Sequence, residues 1–547
     1  MTQDKEWWRG AVIYQIYPRS FCDTNGDGIG DLPGIIAKLD YVAALGVDAI
    51  WLSPFFKSPM KDFGYDIADY RDVDPIFGTI DDFKMLLDEA HARGLKIILD
   101  QVWSHTSDQH DWFKESRMNK HNARHDWYIW ADSKQDGTPP NNWLSIFGGP
   151  AWTWDTRREQ YYLHHFLSSQ PALNLWNEDV RTEILATERF WLDMGVDGFR
   201  LDVINCALSH PNLKDNPVRP HDAPPPTDMN SSNPMSRQIR ENAYGYLSDE
   251  TFKWLNRLRV TADEYGAIFL MGEIGGDDSE RRATLYTQKG NRLHSAYSFG
   301  LTGKTVTKET IVTTIETIEH VIEDGWMTYA LGNHDNTRFA SNHGQGEDVR
   351  HDYALMGMAL LLSLRGSVCV YQGDELGLPV AHVAFEDMQD PYDISMYPDS
   401  MNRDGARTPM PWISEAAQAG FSAAAKTWLP VALAHYPLAV DMQENDPESV
   451  LNHYRRFLAF RKTRPALKRG TIEMVESPSG LIAYRRLLNG EKILCLFNAD
   501  KENKSWDCGH SGQSGMIAEI SRGAVINAQT GRIEFAPYGY AFLEEPS

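Results

Sequence analysis

The sequence predicts a parallel (β/α)8 TIM barrel with an inserted subdomain after the third strand and a C-terminal antiparallel β domain. Three observations predict it. Eight strand-length apolar runs recur along most of the chain, separated by amphipathic stretches. Several of these runs end on a polar or charged residue, as strands do at the active face of a barrel. The length of 547 residues exceeds one ordinary domain and suits a barrel with additions. A doubly wound sheet is the rival architecture at this level of reading.

The runs fall at 12–18, 49–54, 96–103, 198–204, 269–274, 295–299, 327–335 and 367–376. Helical patterns lie between most of them. The stretch 81–93 is the clearest, with Asp81 at its start and Arg93 and then Gly94 at its end. The third and fourth runs are widely separated, and the intervening 104–175, rich in Trp, Gly, Asn and His, reads as an inserted subdomain. A second gap, 205–240, holds the proline-rich stretch that begins at Asp222 and is incompatible with regular helix. A third insertion covers 377–430. The barrel therefore takes 1–103 and 176–467. From 468 to 547 the pattern changes to short alternating segments, such as 481–487 and 492–498, which read as antiparallel strands.

Composition narrows the function classes. The net charge of −23 disfavours nucleic acid and anionic membrane as partners, and neutral small molecules need no steering. No run of about 18 apolar residues marks a membrane helix. The five cysteines, Cys22, Cys206, Cys369, Cys495 and Cys508, are odd in number and lack metal-ligand spacing, so a disulfide framework or zinc site is not expected. The N-terminus has no apolar core of a signal peptide, which points to the cytoplasm. Aromatic residues make up 11%, which serves sugar stacking or core packing equally.

The runs place Asp100, Asp202, Glu273, Asp335, Asp374 and Glu375 at or just beyond strand ends. A lone acid there commonly caps the next helix. Several on one rim raise each other's pKa, and such a rim serves a cation or acid/base chemistry. Arg200 precedes Asp202 by two residues, so both face the same side of their strand, and a fixed cation there would keep Asp202 ionised.

The neighbours of these acids carry a resemblance. Asp100-Gln101-Val102-Trp103-Ser104-His105, Gly198-Phe199-Arg200-Leu201-Asp202, Gly272-Glu273 and Gly332-Asn333-His334-Asp335 match, in order and spacing, the signature regions of the α-amylase family of glycoside hydrolases (family 13). The resemblance implies that Asp202 is the nucleophile and Glu273 the general acid/base of a retaining double displacement. It implies that Asp335 binds sugar hydroxyls and favours the distorted ring, and that His105 and His334 hydrogen-bond the same glucose. Two departures stand out: Ser104 replaces the usual Asn, and Ala172 replaces an acid used by calcium-binding members.

The segment Lys61-Asp62-Phe63-Gly64-Tyr65-Asp66 resembles the α-glucosidase and oligo-1,6-glucosidase branch. There, the Asp and an Arg close the site around one terminal glucose, which implies exo action. Arg403 is the favoured partner of Asp62, with Arg407 second, and Tyr65 would stack under the glucose. Phe147 and Phe166 are candidates for the pocket wall. Val203, directly after the nucleophile, leans the linkage toward α-1,6, with α-1,4 still open. The expected substrates are small α-glucosides, with no organic cofactor. A transglucosidase, or an isomerase of sucrose or maltose, using the same glucosyl-enzyme is the close alternative. A non-catalytic barrel partner protein is the remote one. Oligomeric state stays open between monomer and homodimer.

One further motif concerns a metal. Asp23, Asn25, Asp27 and Asp31 alternate with glycines and, with the carbonyl of Ile29, resemble the first nine positions of an EF-hand loop. The twelfth position is Gly34, so the bidentate Glu is missing. An Asx-turn without metal is the alternative. The resemblance to the α-glucosidase branch implies a structural Ca²⁺ or Mg²⁺ here, away from the chemistry.

Overall fold

The computed structural model describes residues 4–545 apart from 223–236, 277, 343–349, 400–401, 508–515, 518–519 and 528–529. Most of the proline-rich stretch after Asp222, and Cys508, lie outside the described residues.

The eight expected strands form and close on themselves. They are β1 (Val12–Ile16), β2 (Ala49–Leu52), β3 (Lys96–Gln101), β4 (Gly198–Leu201), β5 (Phe269–Glu273), β6 (Ser295–Ser298), β7 (Met327–Tyr329) and β8 (Ser367–Tyr371). Each pairs in parallel with its sequence neighbours, and β1 pairs with both β2 and β8. Closure removes the doubly wound alternative. Most of the strands end earlier than the apolar runs do. Met327–Tyr329 is the extreme case: its run continues to Asp335, but the chain leaves the ladder at Ala330. Apolarity there reflects burial under the loops and not further pairing.

Alternation along the strands fills the barrel interior. Ile13, Trp51, Ile98, Phe269, Met271 and Tyr297 are among the residues of a cluster separate from the main core. The larger cluster lies between sheet and helices. The first long helix, Ile80–Ala92, shows why the local sequence folds as it does. Thr79 and Asp82 make a reciprocal capping box, and Phe83, Leu86, Leu87 and Ala90 form the buried stripe. The helix stops at Arg93, and Gly94 follows with φ +74°.

Between β3 and the helix Glu178–Met194 the chain builds a small antiparallel sheet from Trp130–Ala131, Gln160–Leu163 and Trp152–Asp155. A bridge between His105 and Ala172 ties this segment back to the end of β3. The C-terminal sheet is antiparallel, in the order Thr471–Met474, Leu481–Leu488, Glu491–Asn498, Arg532–Glu545 and Lys504–Asp507.

The C-terminal sheet is fastened to the barrel through Arg486, whose side chain is fully buried. It donates to the carbonyl oxygens of Leu364 (2.8 Å), Leu467 (3.0 Å) and Gly470 (2.9 Å). Replacing it by Met would keep the packing and strand those acceptors, each at a cost of about 1–3 kcal/mol. Arg486→Met should therefore lower global stability by roughly 3 kcal/mol or more, read as an earlier urea midpoint. A shift under about 1 kcal/mol would mean that water replaces the guanidinium.

Candidate active site

The site is organised around one cation. Register sets Arg200 opposite Asp100 on β3 and Met271 on β5. Its Nη1 donates to Asp100 Oδ1 (2.8 Å) and Asp202 Oδ1 (2.7 Å), and its Nη2 donates to Glu273 Oε2 (2.5 Å). The guanidinium sits 5.0 Å from the centre of the Trp51 ring. Asp202 and Glu273 are thus close enough to share one planar group, as suits the short carboxyl separation of a retaining pair.

One positive charge cannot balance three buried carboxylates. Burial pushes Glu273 up to about 8, with Arg200 opposing. Burial likewise pushes Asp202 to about 7 and Asp100 to about 6, again against Arg200. The order makes Glu273 the group that keeps a proton longest. Asp335 is the opposite case. Burial alone would raise it, but Arg403 and Arg407 outweigh burial and hold its carboxyl well below the usual range. Arg407 Nη2 donates to Asp335 Oδ1 at 2.8 Å, and Arg403 pairs with the same oxygen. Asp390 aligns both arginines, at 2.9 Å from Arg407 and 3.6 Å from Arg403.

The two histidines are held differently from the expectation. His334 is fully buried and is not part of the cleft wall. Gln15 Nε2 donates to its Nδ1 (2.7 Å), so its Nε2 donates to the Tyr65 hydroxyl (2.6 Å), which in turn donates to Asp100 Oδ2 (3.0 Å). Its ring lies parallel to that of Tyr65, with centroids 5.4 Å apart. His334 therefore supports Tyr65 and Asp100 from behind. His105 does line the cleft, but its Nε2 donates to the Tyr65 carbonyl (3.0 Å) and its Nδ1 accepts from Ser104 (2.9 Å). The Tyr65 carbonyl, which can only accept, thereby fixes the histidine tautomer, and Ser104 follows it.

The expected Asp62–Arg403 closure is also not a direct pair. Asp62 accepts from Gln170 Nε2 (2.8 Å), while Arg403 is drawn to Asp335 and Asp390. Two carboxylates compete for Arg403 against one, and burial pushes Asp62 up to about 7, with Arg403 only partly offsetting this. Gln170 and Asp390 escaped the sequence reading. Gln170 stands two residues before Ala172, in a motif read only for its missing acid. Asp390 lies in an insertion without strand or helix period.

An open cleft of about 1110 Å³ gathers the remaining candidates. Asp62, Tyr65, His105, Phe147, Phe166, Asp202, Val203, Glu273, Asp335 and Arg403 line it; Arg200, His334 and Arg407 lie outside its wall. The insertion's Phe166 packs edge-to-face on Phe147, which packs on Tyr392, at 5.6 and 5.4 Å. Asn205, Cys206, Arg240, Tyr244, Phe299 and Asn336 complete the wall beyond the acids. Asp374 and Glu375 do not join. Glu375 accepts from the hydroxyls of Tyr14 and Tyr41, both at 2.7 Å, in the core.

The N-terminal acidic loop is closed by its own bonds. Asp23 accepts from Gly26 and Gly28 (both 2.8 Å), Asn25 from Asp27 (2.9 Å), and Asp27 from Ile29 (2.8 Å). Asp31 turns to Thr24 (3.0 Å) and Gly34 (2.6 Å), capping the helix Leu32–Ala37. The donor types fit a hard divalent cation. Among the described residues, however, no three Asp, Glu, His or Cys side chains converge as a metal site. The loop docks on 421–428 through Phe421, Ser422 and Trp428. Gly28 has φ +90°, and a Cβ there would lie 2.4 Å from the Lys426 oxygen.

Comparison with known proteins gives the same reading. Residues 15–470 match the α-amylase catalytic domain. The chain belongs to the α-amylase family. It is 52% identical to a probable α-glucosidase of Rhizobium meliloti (strain 1021), over 92% of this chain and 91% of the relative. It is 37% identical to an oligo-1,6-glucosidase of Parageobacillus thermoglucosidasius, over 90% and 91%. The crystal structure of an α-glucosyl transfer enzyme superposes with a TM-score of 0.94 at 47% identity, covering 98% of this chain and 99% of that one. With these glucosidase relatives over most of its length, the protein is a glycoside hydrolase.

A retaining mechanism with Asp202 as nucleophile and Glu273 as acid would need Asp202 ionised and Glu273 protonated. The raised values then give a bell-shaped kcat/KM, rising as Asp202 loses its proton near pH 7 and falling as Glu273 loses its proton near pH 8. An optimum below pH 5 would contradict this ordering.

Proposed function

We propose that the protein is an exo-acting retaining α-glucosidase that releases α-glucose from the non-reducing end of short α-glucosides. The observation that carries the reading is the single Arg200 guanidinium bonded to both Asp202 and Glu273 at the floor of a cleft. Asp202 attacks the anomeric carbon while Glu273 gives its proton to the glycosidic oxygen, and the aglycone leaves. The Glu273 carboxylate then takes a proton from water, whose oxygen attacks the same carbon from the opposite face to Asp202. Two inversions return the α-anomer. Asp335, kept ionised by Arg403 and Arg407, is suited to accept from two sugar hydroxyls.

Asp62 and Gln170 together close one end of the site in this reading, which supports attack at a terminal glucose. Val203 lines the cleft beside the acids and leans the linkage toward α-1,6. Transfer of glucose to a sugar or alcohol is the second reading. It is favoured by the likeness to the α-glucosyl transfer enzyme and needs only an acceptor that outcompetes water at the same glucosyl-enzyme. The non-catalytic alternative is weakened by the convergence of Asp202, Glu273 and Asp335, and no described helix is long and apolar enough to cross a membrane. Among the described residues four buried cysteines form no disulfide, which fits a cytoplasmic site of action.

Asp202→Asn should lower kcat by at least roughly 10³-fold without changing the thermal midpoint. Wild-type turnover of α-1,2, α-1,3, α-1,4 and α-1,6 disaccharides and sucrose, followed by anomer-resolved NMR, should give α-glucose first. Initial β-glucose would mean inversion, and a new disaccharide as main product would select transfer.

We also propose that the loop holding Asp23, Asn25, Asp27 and Ile29 takes one structural Ca²⁺ or Mg²⁺ per chain. When bound, such an ion would tighten the loop that carries 421–428 and would take no part in the chemistry. Elemental analysis of chelator-free protein should find about one ion per chain and none in Asp27→Ala. A wild-type protein free of metal and equally heat-stable with and without chelator would leave the loop as a self-bonded turn.

A further inference from the structure

We infer that Val203 is a positioning residue: its strained backbone points its N–H at the Glu273 carboxylate and couples the wall of the cleft to the acid/base. The inference rests on the assignment of Glu273 above and goes beyond it.

Val203 has φ 34° and ψ 46°, in the left-handed region. Among the described non-glycine residues with positive φ it is the one β-branched side chain, and its φ is the smallest. Branching at Cβ makes this conformation costly, so the surroundings must impose it. Two backbone bonds do so. The N–H of Asp202 donates to Gln101 (2.9 Å), one step beyond the end of β4, and the N–H of Cys206 donates back to Val203 (2.7 Å), opening the turn Ile204–Cys206. The chain must change direction within the single residue between them.

The consequence is a bond from Val203 N–H to Glu273 Oε2 at 3.1 Å. Arg200 Nη2 reaches the same oxygen. Both donors therefore fall on Oε2, leaving Oε1 as the oxygen that carries the transferable proton. A backbone N–H favours the ionised form. It assists Glu273 in releasing its proton to the glycosidic oxygen, and it steadies the carboxylate that later takes one from water. The Val203 side chain meanwhile lines the cleft beside the nucleophile. Glycine would take the turn without strain but would leave the wall open. Substitutions here are therefore expected to change aglycone preference and proton transfer together.

The decisive experiment removes the N–H alone. Val203 is replaced by its α-hydroxy-acid analogue in the full-length chain, turning one amide into an ester and keeping the side chain. The alkaline limb of kcat/KM should move up by about 0.5–1 pH unit. A limb that stays in place overturns the inference. Since the ester could impair folding, Val203→Gly and Val203→Ala are melted side by side. Strain relief requires the glycine variant to melt at or above the alanine variant, the reverse of the usual order. An alanine variant that melts higher also overturns it. Glu273→Gln separates the two levels. Retained hydrolysis of disaccharides there would remove the acid/base assignment itself, whereas loss of hydrolysis with an unmoved ester limb removes only the role of Val203.

Discussion

Arg200 is the element on which the rest of the site depends. Three largely buried carboxylates from three strands meet at the floor of the cleft, and their mutual repulsion would oppose this packing without a counter-charge. A single guanidinium, fixed against Trp51, supplies it with geometry as well as charge, because its fork fits several acceptors at once. Three carboxylates against one guanidinium leave two negative charges unbalanced. That deficit leaves a proton on the rim, and burial ranks the sites so that Glu273 holds it longest. Division of labour between a nucleophile and an acid follows from one cation shared unequally.

Asp335 adds to this competition, since its charge helps raise Asp202 and Glu273, but other cations hold it. It draws on Arg403 and Arg407, which come from the insertion after β8 and are aligned by the buried Asp390. Two electrostatic units therefore meet at the cleft: an under-neutralised one that exchanges protons, and one in which two arginines match two carboxylates. The chain Gln15–His334–Tyr65–Asp100 braces the first unit from below. The insertion's Phe147 and Phe166 pack on each other and supply an apolar wall of the cleft.

Much of this was legible in the sequence. Eight apolar runs gave eight strands, because parallel barrel strands are buried on both faces and read as continuous apolar segments. The acids at their ends were legible because period-two alternation places Arg200 and Asp202 on one side. What escaped reading depended on contacts between distant loops. His105 and His334 looked like ligands by motif position, yet their ring nitrogens are taken up by Ser104, Tyr65 and Gln15. Asp62 looked like the partner of Arg403, yet Gln170 holds it.

The sequence by itself therefore determined the architecture and the identity of the acid pair beside its cation. The architecture depends on local periodicity, and the acid pair on flanking motifs that resemble those of the α-amylase family. Only the tertiary structure decided which oxygen each donor reaches, how the protons are ranked, and how Val203 is bent toward Glu273. Those depend on burial and on donor–acceptor choices among residues tens to hundreds of positions apart, which no spacing along the chain encodes. The acid pair was readable as a list of residues. Its working state is set by the shared charge of Arg200 and by the fold that buries the carboxylates around it.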